Sequence, residues 1–545
     1  MSPENERERA RLRWRVALAL CTLLIPAAAA AQEGTVSGTV TVAATGAPVA
    51  GAFVLLIGGD RDTETGADGR YTLSAAAGDY VVLVVAAGFR ASEKTITVTA
   101  GGTVTADFAL QAARAQFGEQ VVVLGSRSSR TALETPVPVD VLTETDLEDT
   151  GQTETSRIIQ FLAPSFNFST STISDGTDIV RPSTLRGLGP DQTLVLVNGK
   201  RRHNSALVHV NGSIGRGTAG VDLNAIPSSA IERIEILRDG AAAQYGSDAI
   251  AGVINIVLKS GTGTTKLDVS AGEHFEGDGE TVQASVNRGW KIANGGFVNL
   301  TAELRDRGFT NRAGPDPRRI YAPLADGSPD PREATYDRLN HRYGDAESEN
   351  GYLFLNGALP TGGDGELYFF GGVADRDGES AGFNRLPGQD RTNTLLWPDG
   401  HLPLINTSVD DFSFSVGHRG TVGGGWSYDA AVVTGNNEFN FFISNSANTS
   451  LWENSPTSAD AGTLKFDQTT FTLDFFGTAD WGLAAPVSVA LGVEYREDGY
   501  EIEAGEPASY IDGGEPNQFC RPPWPQPDPR CRPAPAGIQV FPGFQ

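Results

Sequence analysis

The residue types that most often carry catalysis or metal binding are scattered along this chain without a useful spacing. No His-Glu-x-x-His motif occurs, and the histidines show no paired ligand spacing. Gly187-Leu188-Gly189 lacks the third glycine and the strand-to-helix setting of a nucleotide-binding loop. The sequence therefore predicts a protein that is not an enzyme, with no catalytic residue, no metal and no cofactor. The six histidines are His203, His209, His274, His341, His401 and His418.

A valine-rich stretch in the polar linker at residues 113–130 suggests a different chemistry, which is main-chain pairing. A short β-prone segment in a linker can add to the edge of a partner's sheet through backbone hydrogen bonds, largely regardless of its side chains. The stretch consists of Glu119, Gln120, Val121, Val122, Val123 and Leu124.

Two of the three cysteines predict a disulfide. Cys21 lies in the N-terminal leader and would leave with it, so Cys520 and Cys531 remain as a pair in an oxidising compartment. The prolines between them exclude a helix or a central strand. We predict a surface loop that is closed by a bond between these two cysteines.

Residues 1–31 have the organisation of a secretory signal peptide. Five arginines, the last of them Arg15, precede an apolar run at residues 16–26, and a stretch of alanines ends at Ala31. Cleavage would leave Gln32 at the start of the exported protein. The alternative is a membrane anchor, but the apolar run is far shorter than the roughly 20 residues that span a bilayer as a helix.

Composition favours a large β protein and argues against a polyanionic partner. The 545 residues are enough for several domains. Asp and Glu number 67 against 42 Lys and Arg, a formal net charge of -25, so we expect no binding to nucleic acid. Short runs that alternate Val, Thr and Phe with polar residues indicate many strands and turns.

Residues 34–110 alternate with period two between turns such as Ala67-Asp68-Gly69, which predicts a small β-sandwich. The segments GTVSGTVTVAATGAPVAGAFVLL and ADGRYTLSAAAGDYVVLVVAAGF resemble the carboxypeptidase regulatory-like domain, a prealbumin-like sandwich, and place this domain at residues 32–112. The resemblance implies no peptidase, because the first histidine after the leader is His203.

Residues 131–260 predict an α+β unit, in which a short helix at residues 155–164 and several strands are separated by glycine turns. The segment IPSSAIERIEILRDGAAAQYGSDAIAGVINIVLK, together with LRGLGPDQTLVLVNGKRR, resembles the plug domain of TonB-dependent receptors. The residues that match the plug signature are Arg186, Gly187, Asn198, Gly199, Ile231, Glu232, Arg233, Ile234, Glu235, Arg238, Gly240, Tyr245, Gly246, Gly252 and Asn255.

The resemblance implies a globular plug inside an outer-membrane β-barrel, and it makes residues 119–124 a TonB box. It also implies a monomer whose partners are TonB with its inner-membrane energising complex, outer-membrane lipid, and a small ligand such as a metal chelate, vitamin, glycan or peptide. The candidate ligand-facing plug loops contain Lys200, Arg201, Arg202, His203, Asn204, His209, Asn211 and Arg216.

The alternating charges from residue 232 to residue 238 leave two interpretations open. Such charges usually mark a solvated strand surface, whereas inside a water-containing barrel they would meet opposite charges on the wall in a removable contact. We favour the contact with the wall because these charges belong to the plug signature.

Residues 261–545 alternate apolar with polar or small residues in about ten candidate strands, the pattern of outer-membrane barrels. A soluble β-sandwich alternates in the same way, but it would not follow a plug signature. Because a barrel that holds a plug needs roughly 22 strands, we expect this chain to hold only part of one. The aromatic residues expected in an interfacial girdle are Trp290, Tyr368, Phe369, Phe370, Trp426 and Trp481.

These features together predict a mainly β protein with a sandwich, an α+β plug and part of an antiparallel transmembrane β-barrel. We predict an exported receptor of the cell outer membrane, which imports a scarce ligand with proton-motive force that TonB relays. One alternative is an outer-membrane surface-binding or adhesion protein without transport. The other is a secreted zinc peptidase, which the missing zinc ligands disfavour.

Overall fold

A computed structural model gives the structure of the chain, which divides into two compact units, Met1–Glu119 and Gln120–Gln545. No helix among the described residues is both long and apolar enough to cross a membrane. The leader at residues 1–31 lies outside the described residues. The structure describes residues 33–42, 46–57, 61–86, 92–110, 121–122, 130–131, 139–210, 212–238, 245–292, 295–324, 326–423, 426–482, 487–524 and 526–545.

The first unit contains two small sheets, as the period-two alternation predicts. One sheet has the order β4-β1-β7 with β8 beside β1, and the other has the order β3-β2-β5-β6. The strands are β1 (Gly34–Val42), β2 (Phe53–Ile57), β3 (Arg61–Glu64), β4 (Arg70–Ala75), β5 (Gly78–Val85), β6 (Ser92–Val98), β7 (Thr103–Thr105) and β8 (Phe108–Leu110).

Alternation along each strand decides which side chains form the core between these sheets. Val36, Val40, Val54, Val82 and Val84 are fully buried, and they pack in one apolar cluster. The residues between them along the strands are exposed or only partly buried. The predicted sandwich is confirmed.

The second unit begins with an α+β region. Its main sheet is five-stranded, with the order β11-β16-β17-β14-β15. Two separate two-stranded sheets pair β9 with β10 and β12 with β13. Its elements are β9 (Val121–Val122), β10 (Arg130–Thr131), β11 (Val139–Thr143), α1 (Glu144–Asp149), α2 (Thr155–Leu162), β12 (Phe166–Phe168), β13 (Ser183–Leu185), β14 (Thr193–Val197), β15 (Lys200–Arg201), β16 (Ile231–Leu237) and β17 (Gly252–Leu258).

Local sequence explains two features of this region. Helix α1 starts with a capping box, in which the Asp146 amide donates to Thr143 Oγ1 at 3.3 Å and the Thr143 amide donates to the Asp146 carboxylate at 2.8 Å. Strand β17 starts at Gly252 with φ of +148°, where a Cβ atom would lie 2.3 Å from the Leu237 carbonyl oxygen. Only glycine fits there, because any side chain would push β16 and β17 apart.

The rest of the chain builds a nine-stranded antiparallel sheet in which each strand pairs with the next along the sequence. We predicted about ten strands, and the difference lies at residues 426–444, which form one strand. The polar residues 436–438 lie between two of the candidate strands, yet they continue the ladder to both neighbours. The strands are β18 (Thr265–Gly272), β19 (Thr281–Lys291), β20 (Phe297–Arg307), β21 (Glu347–Gly362), β22 (Gly365–Ala381), β23 (Leu404–Val422), β24 (Trp426–Ser444), β25 (Ala459–Ala479) and β26 (Val487–Ala504).

One face of this sheet packs against the α+β region. Tyr368 and Phe370 of β22 are buried in the cluster that contains the core of that region, so their predicted place in an outer aromatic girdle is wrong. Alternation identifies two faces of a strand, but it does not say which face is covered. Trp290 and Trp481 are exposed, in agreement with the girdle prediction.

The longer connections of the sheet lie at one end. Residues 308–346, 382–403 and 445–458 join strands there, and residues 505–545, which follow β26, pack among them and include the short helix α3 (Pro507–Tyr510). Gln518 Nε2 donates to the Pro387 carbonyl oxygen at 2.8 Å, and Asn393 Nδ2 donates to the Trp452 carbonyl oxygen at 2.7 Å. The connections therefore hold one another in place.

A disulfide joins Cys520 and Cys531, whose Cα atoms are 4.7 Å apart and which are 11 positions apart in the chain. Loop-closure entropy predicts that this bond stabilises the connection by roughly 2 to 3 kcal/mol. We expect non-reducing peptide mapping of the exported protein to recover the two cysteines in one linked peptide pair. Two free thiols in exported material would contradict this prediction.

Candidate functional site

The interface between the α+β region and the nine-stranded sheet is rich in charged and polar contacts. These contacts come from almost the whole width of the sheet. The sheet residues involved are Lys266 on β18, Glu303, Arg305 and Arg307 on β20, Tyr352 and Asn356 on β21, Arg376 on β22, Asp411 on β23, Asp429 and Asn437 on β24, Thr472 on β25, and Glu494, Arg496 and Tyr500 on β26.

Five charged residues, which we call the Glu154 cluster, connect helix α2 to the sheet: Glu154, Arg157, Arg181, Arg307 and Asp345. The Glu154 carboxylate is 2.8 Å from Arg157 Nε and 2.9 Å from the guanidinium of Arg307. Asp345 binds both Arg157 and Arg181 at 2.8 Å. The cluster therefore joins α2 and the segment around residue 181 to β20 and to the connection that precedes β21.

The electrostatics of the Glu154 cluster favour ionised carboxylates. Burial alone would raise the pKa of Glu154, but the surrounding arginines, Arg307 first among them, outweigh burial and hold this pKa well below its usual range. Burial likewise opposes ionisation of Asp345, and Arg181 and Arg157 lower its pKa. Both carboxylates thus stay charged at neutral pH, and their contribution to stability is lost progressively as the pH falls below the ordinary carboxyl pKa towards the lowered one.

A second group of contacts lies beside the Glu154 cluster. Arg376 Nη1 is 3.0 Å from the Asp222 carboxylate, and the Tyr352 hydroxyl donates to the Asn224 carbonyl oxygen at 3.0 Å. Arg305 donates to the Thr153 carbonyl oxygen at 2.6 Å. Here the sheet supplies the cations, and the α+β region supplies the acceptors.

The opposite polarity occurs further along the sheet, in what we call the Asp411 cluster: Arg202, His203, Asp411 and Asn437. Asp411 on β23 forms an ion pair with Arg202 and lies 3.0 Å from His203 Nε2. Asn437 Nδ2 donates to the same carboxylate at 3.1 Å, and Asn437 Oδ1 accepts from the Ala206 amide at 2.8 Å. Every member is buried, so water does not compete for these bonds.

The His203 ring lies directly against Gly435 of β24. A Cβ atom at position 435 would be 2.1 Å from His203 Nδ1, which leaves no room for any side chain. Burial, and next the neighbouring Arg202, lower the pKa of His203, so the ring is neutral at pH 7. Gly435 and the neutral His203 ring together let the backbone of the plug lie close to β24.

The α+β region matches the TonB-dependent Receptor Plug Domain family over residues 131–253. The chain carries a TonB-dependent receptor plug domain. Residues 35–111 match the Carboxypeptidase regulatory-like domain family. The family resemblance that the sequence predicted is confirmed for both domains. The Glu154 and Asp411 clusters are contacts between this plug and the sheet against which it packs.

Curated relatives resemble part of the chain. The Vitamin B12 transporter BtuB of Vibrio cholerae serotype O1 is 31% identical over 207 residues, which are 38% of this chain and 31% of that protein. The Ferrienterobactin receptor of Escherichia coli K12 is 38% identical over 110 residues, 20% of this chain and 14% of that protein. The matched part thus spans less than a third of these relatives.

A crystal structure of the ferric enterobactin receptor of Pseudomonas aeruginosa, a mutant form, shares the fold. It aligns with a TM-score of 0.50 at 20% sequence identity, over 69% of this chain and 50% of that chain. The chain therefore spans half the length of this structural relative. The prediction of a plug followed by part of a barrel is confirmed at the level of fold.

Four of the eight predicted ligand-facing residues of the plug bind the sheet. Lys200 Nζ lies 3.0 Å from the Asp429 carboxylate, and Arg201 bridges Asp248 of the plug and Glu494 of β26. Asn204 is partly buried and Arg216 is exposed. Arg202 and His203 belong to the buried Asp411 cluster, and Asn211 lies outside the described residues. Their role as ligand contacts stays a prediction.

His209 of the plug is expected to make the stability of the fold depend on pH. Its ring is buried beside Thr177, and burial lowers its pKa from the usual 6.5 to about 4. Above pH 6.5 the ring is neutral in both the folded and the unfolded chain. As the pH falls from 6.5 towards 4, the ring takes up a proton in the unfolded chain but not in the folded one, so the free energy of unfolding decreases. We expect urea unfolding to show a loss of stability between about pH 7 and pH 5 that is smaller in a His209→Asn variant. An equal loss in both proteins would contradict this role.

The signature residues have structural roles inside the plug. Asn198 and Gly199 form the turn between β14 and β15 with φ of +48° and +80°, and Arg186 and Gly187 also have positive φ. Asn255 is buried, and its side chain accepts from the Gly199 amide at 2.8 Å and donates to Glu235 at 3.0 Å. Gly240 lies outside the described residues.

Several of the alternating charges of β16 pair with other residues of the plug. Arg233 pairs with Glu232 at 3.4 Å and with Glu235 at 3.0 Å, and Glu232 accepts from Ser260 at 3.0 Å. Arg238 pairs with Asp140 of the neighbouring strand β11 at 2.5 Å. The pair between Arg238 and Asp140 joins this segment to β11, which is the neighbour of β16 in the plug sheet. Contact of these charges with the wall stays a prediction.

The acids Glu154, Asp345 and Asp411, which take part in the contacts between plug and sheet, were not singled out from the sequence. One signal was present at Asp410 and Asp411, because two consecutive acids in a strand must point to opposite faces. One of the two carboxylates therefore had to face the plug, where a buried carboxylate needs a cationic partner. For Glu154 and Asp345 the sequence contains no comparable signal.

Two of the remaining predictions concern metal and the TonB box. Among the residues that the structure describes, no group of three or more His, Cys, Asp or Glu side chains could hold a metal ion. The backbone of Val121 and Val122 pairs with Thr131 and Arg130 in a short antiparallel hairpin. Glu119, Gln120, Val123 and Leu124 lie outside the described residues.

Proposed function

We propose that this protein is a TonB-dependent importer of the outer membrane, in which ligand binding frees the TonB box and TonB then displaces the plug. The named relatives are transporters and receptors rather than enzymes. We further propose that the protein acts as a monomer and needs no cofactor of its own.

The observation that carries the proposal is the polar interface between plug and sheet. Ion pairs and hydrogen bonds such as Glu154 to Arg307 and Asp411 to Arg202 fix the plug in one orientation. If the plug moves, water solvates both partners of each pair, whereas a wholly apolar interface would leave apolar surface exposed. Such an interface therefore suits a domain that must be displaced and must return.

The names of the relatives support one class of ligand. Their names specify vitamin B12 and ferric enterobactin, both of them scarce, metal-containing molecules. We propose a metal chelate of this kind as the ligand. Glycans and peptides are the alternatives that the test below separates.

Energy would reach the plug through the linker. The backbone of Val121 and Val122 already adopts an extended, strand-pairing conformation, which is the conformation that strand addition to TonB needs. Residues 119–124 precede the first residue of the plug match by only a short stretch. A pull on this linker would thus act directly on the plug.

The experiment is uptake by intact cells of the native host, with and without the gene. Radiolabelled ferric enterobactin and vitamin B12 are supplied in turn, together with a matched glycan and a peptide mixture. We expect gene-dependent accumulation of one metal chelate that stops when a protonophore is added or when TonB is deleted. Accumulation that survives both treatments would contradict the mechanism, and binding without accumulation would indicate an adhesion protein.

Export through a cleaved leader is part of the same proposal. The arginine-rich start and the alanines before Gln32 motivate it. We expect N-terminal sequencing of protein from the outer-membrane fraction to begin at Gln32. Recovery of the intact leader in that fraction would show that residues 1–31 remain as an anchor.

A further inference from the structure

The four-stranded sheet β3-β2-β5-β6 of the first unit has an apolar outer face. Alternation sends Val54, Leu56, Val82 and Val84 into the core, so their neighbours along the strands point away from it. Those neighbours are apolar as well. They are Phe53, Leu55, Ile57, Val81 and Leu83, which we call the outer apolar face.

The register places these five side chains side by side. Leu55 is opposite Leu83 and Ile57 is opposite Val81 across the β2–β5 pair, and Phe53 completes the β2 row. Phe53 is 41% exposed and Ile57 is 46% exposed. Single exposed apolar residues are common on soluble domains, but a contiguous patch with a polar rim is the composition of a protein-binding surface.

The rim of this face carries one sign of charge. On β3, Asp62 lies opposite Leu55 and Glu64 lies opposite Phe53. On the other side, Glu93 of β6 lies opposite Leu83. Asp79 precedes Val81 on the same side of β5, and its carboxylate accepts a hydrogen bond from Thr97 at 2.6 Å.

The cations of the same strands are directed to the other side of the sheet. Arg61 is opposite Leu56 and Lys94 is opposite Val82, both of which are core residues. Arg61 pairs with Glu33 at 3.2 Å, and Lys94 Nζ donates to the Asp107 carbonyl oxygen at 2.8 Å. Each charged side chain that the described residues place on the outer face is therefore a carboxylate.

We propose that the outer apolar face binds a basic amphipathic segment of another protein, with apolar side chains against Leu55 and Leu83 and cations against the acidic rim. Electrostatic complementarity selects such a partner and rejects anionic ones. A second copy of this chain does not fit, because a symmetric contact would bring the same four carboxylates together. The proposal is independent of the transport function.

The test uses the full-length chain and a defined probe, a fluorescent twelve-residue peptide of alternating lysine and leucine. Its control is the same peptide with glutamate in place of lysine. We expect the lysine peptide to bind and the glutamate peptide not to bind. Leu55→Lys should weaken binding by about tenfold or more, because it places a cation in the centre of the face.

The matched control is Thr72→Lys, which adds the same charge to an exposed position on β4 of the opposite sheet. This variant should bind the peptide as the unaltered protein does, and circular dichroism should show that both variants are folded. Equal affinity in the Leu55→Lys and Thr72→Lys variants would overturn the proposal, since the peptide would then bind only to the general negative charge of the protein.

A photo-crosslinking amino acid at position 53, compared with one at position 72, identifies the occupant in cells. A crosslink from position 53 to a lysine- or arginine-rich segment of a different protein supports the proposal. A crosslink within the same chain, a crosslinked dimer of this chain, or no product at position 53 overturns it.

Discussion

Replacing Asp411 by alanine is expected to destabilise the docked plug by about 3 to 5 kcal/mol, the usual cost of removing one partner of a buried ion pair. The Arg202 and Asp411 side chains are 3% and 5% exposed. Without the carboxylate, the Arg202 guanidinium keeps its charge in a buried site, and His203 and Asn437 each lose a bond. Water cannot replace these bonds unless the plug separates from the sheet.

The neighbouring acid on the same strand is the control. Asp410 precedes Asp411, points to the other face of β23 and is exposed. Asp410→Ala should therefore change the stability by less than about 1 kcal/mol, as is usual for surface charges. The measurement is the urea concentration at which the plug becomes sensitive to trypsin in the detergent-solubilised protein. Equal shifts for the two variants would show that Asp411 does not hold the plug.

A milder substitution separates charge from hydrogen bonding. Asp411→Asn keeps an acceptor oxygen for His203 and Arg202 but removes the negative charge, so its effect should lie between those of Asp410→Ala and Asp411→Ala. This order of the three variants is expected only if the negative charge of Asp411 stabilises the buried guanidinium of Arg202.

Replacing Val122 by proline is expected to reduce uptake by about tenfold or more while ligand binding at the cell surface is retained. Proline lacks the backbone N–H group that strand addition uses, and its ring restricts the conformation at the position. The same change removes the extended backbone pairing of Val122 with Arg130. Binding survives in this prediction because the substitution lies outside the plug family match, which begins at residue 131.

The matched control is Val122→Thr, which keeps the N–H group and a β-branched side chain. It should transport at the normal rate. Uptake and surface binding are measured on the same cells with the metal chelate that the uptake screen identifies, with a protonophore present for the binding measurement. Normal uptake by the proline variant would mean that the TonB box lies elsewhere in the linker.

The sequence alone was sufficient for the local structure and the family. Period-two alternation produces the strands of the sandwich and of the sheet, because successive side chains in an extended backbone point to opposite sides. The turn at Asn198 and Gly199 follows from residues that tolerate positive φ. The cysteine pair and the plug signature were also visible without coordinates, and the structure joins Cys520 to Cys531.

Only the tertiary structure decided which charges meet. Arg157 and Asp345 are 188 positions apart in the chain, and Arg202 and Asp411 are 209 positions apart. Sequence patterning identifies the two faces of a strand, yet the partner of an inward charge depends on how the plug is seated and on the register of every strand between. For this reason the pairing of Arg238 with Asp140 inside the plug was not predicted, and Tyr368 and Phe370 were assigned to the wrong face. Alternation is a property of neighbouring residues, whereas an ion pair is a property of two backbones that folding brings within about 3 Å of each other.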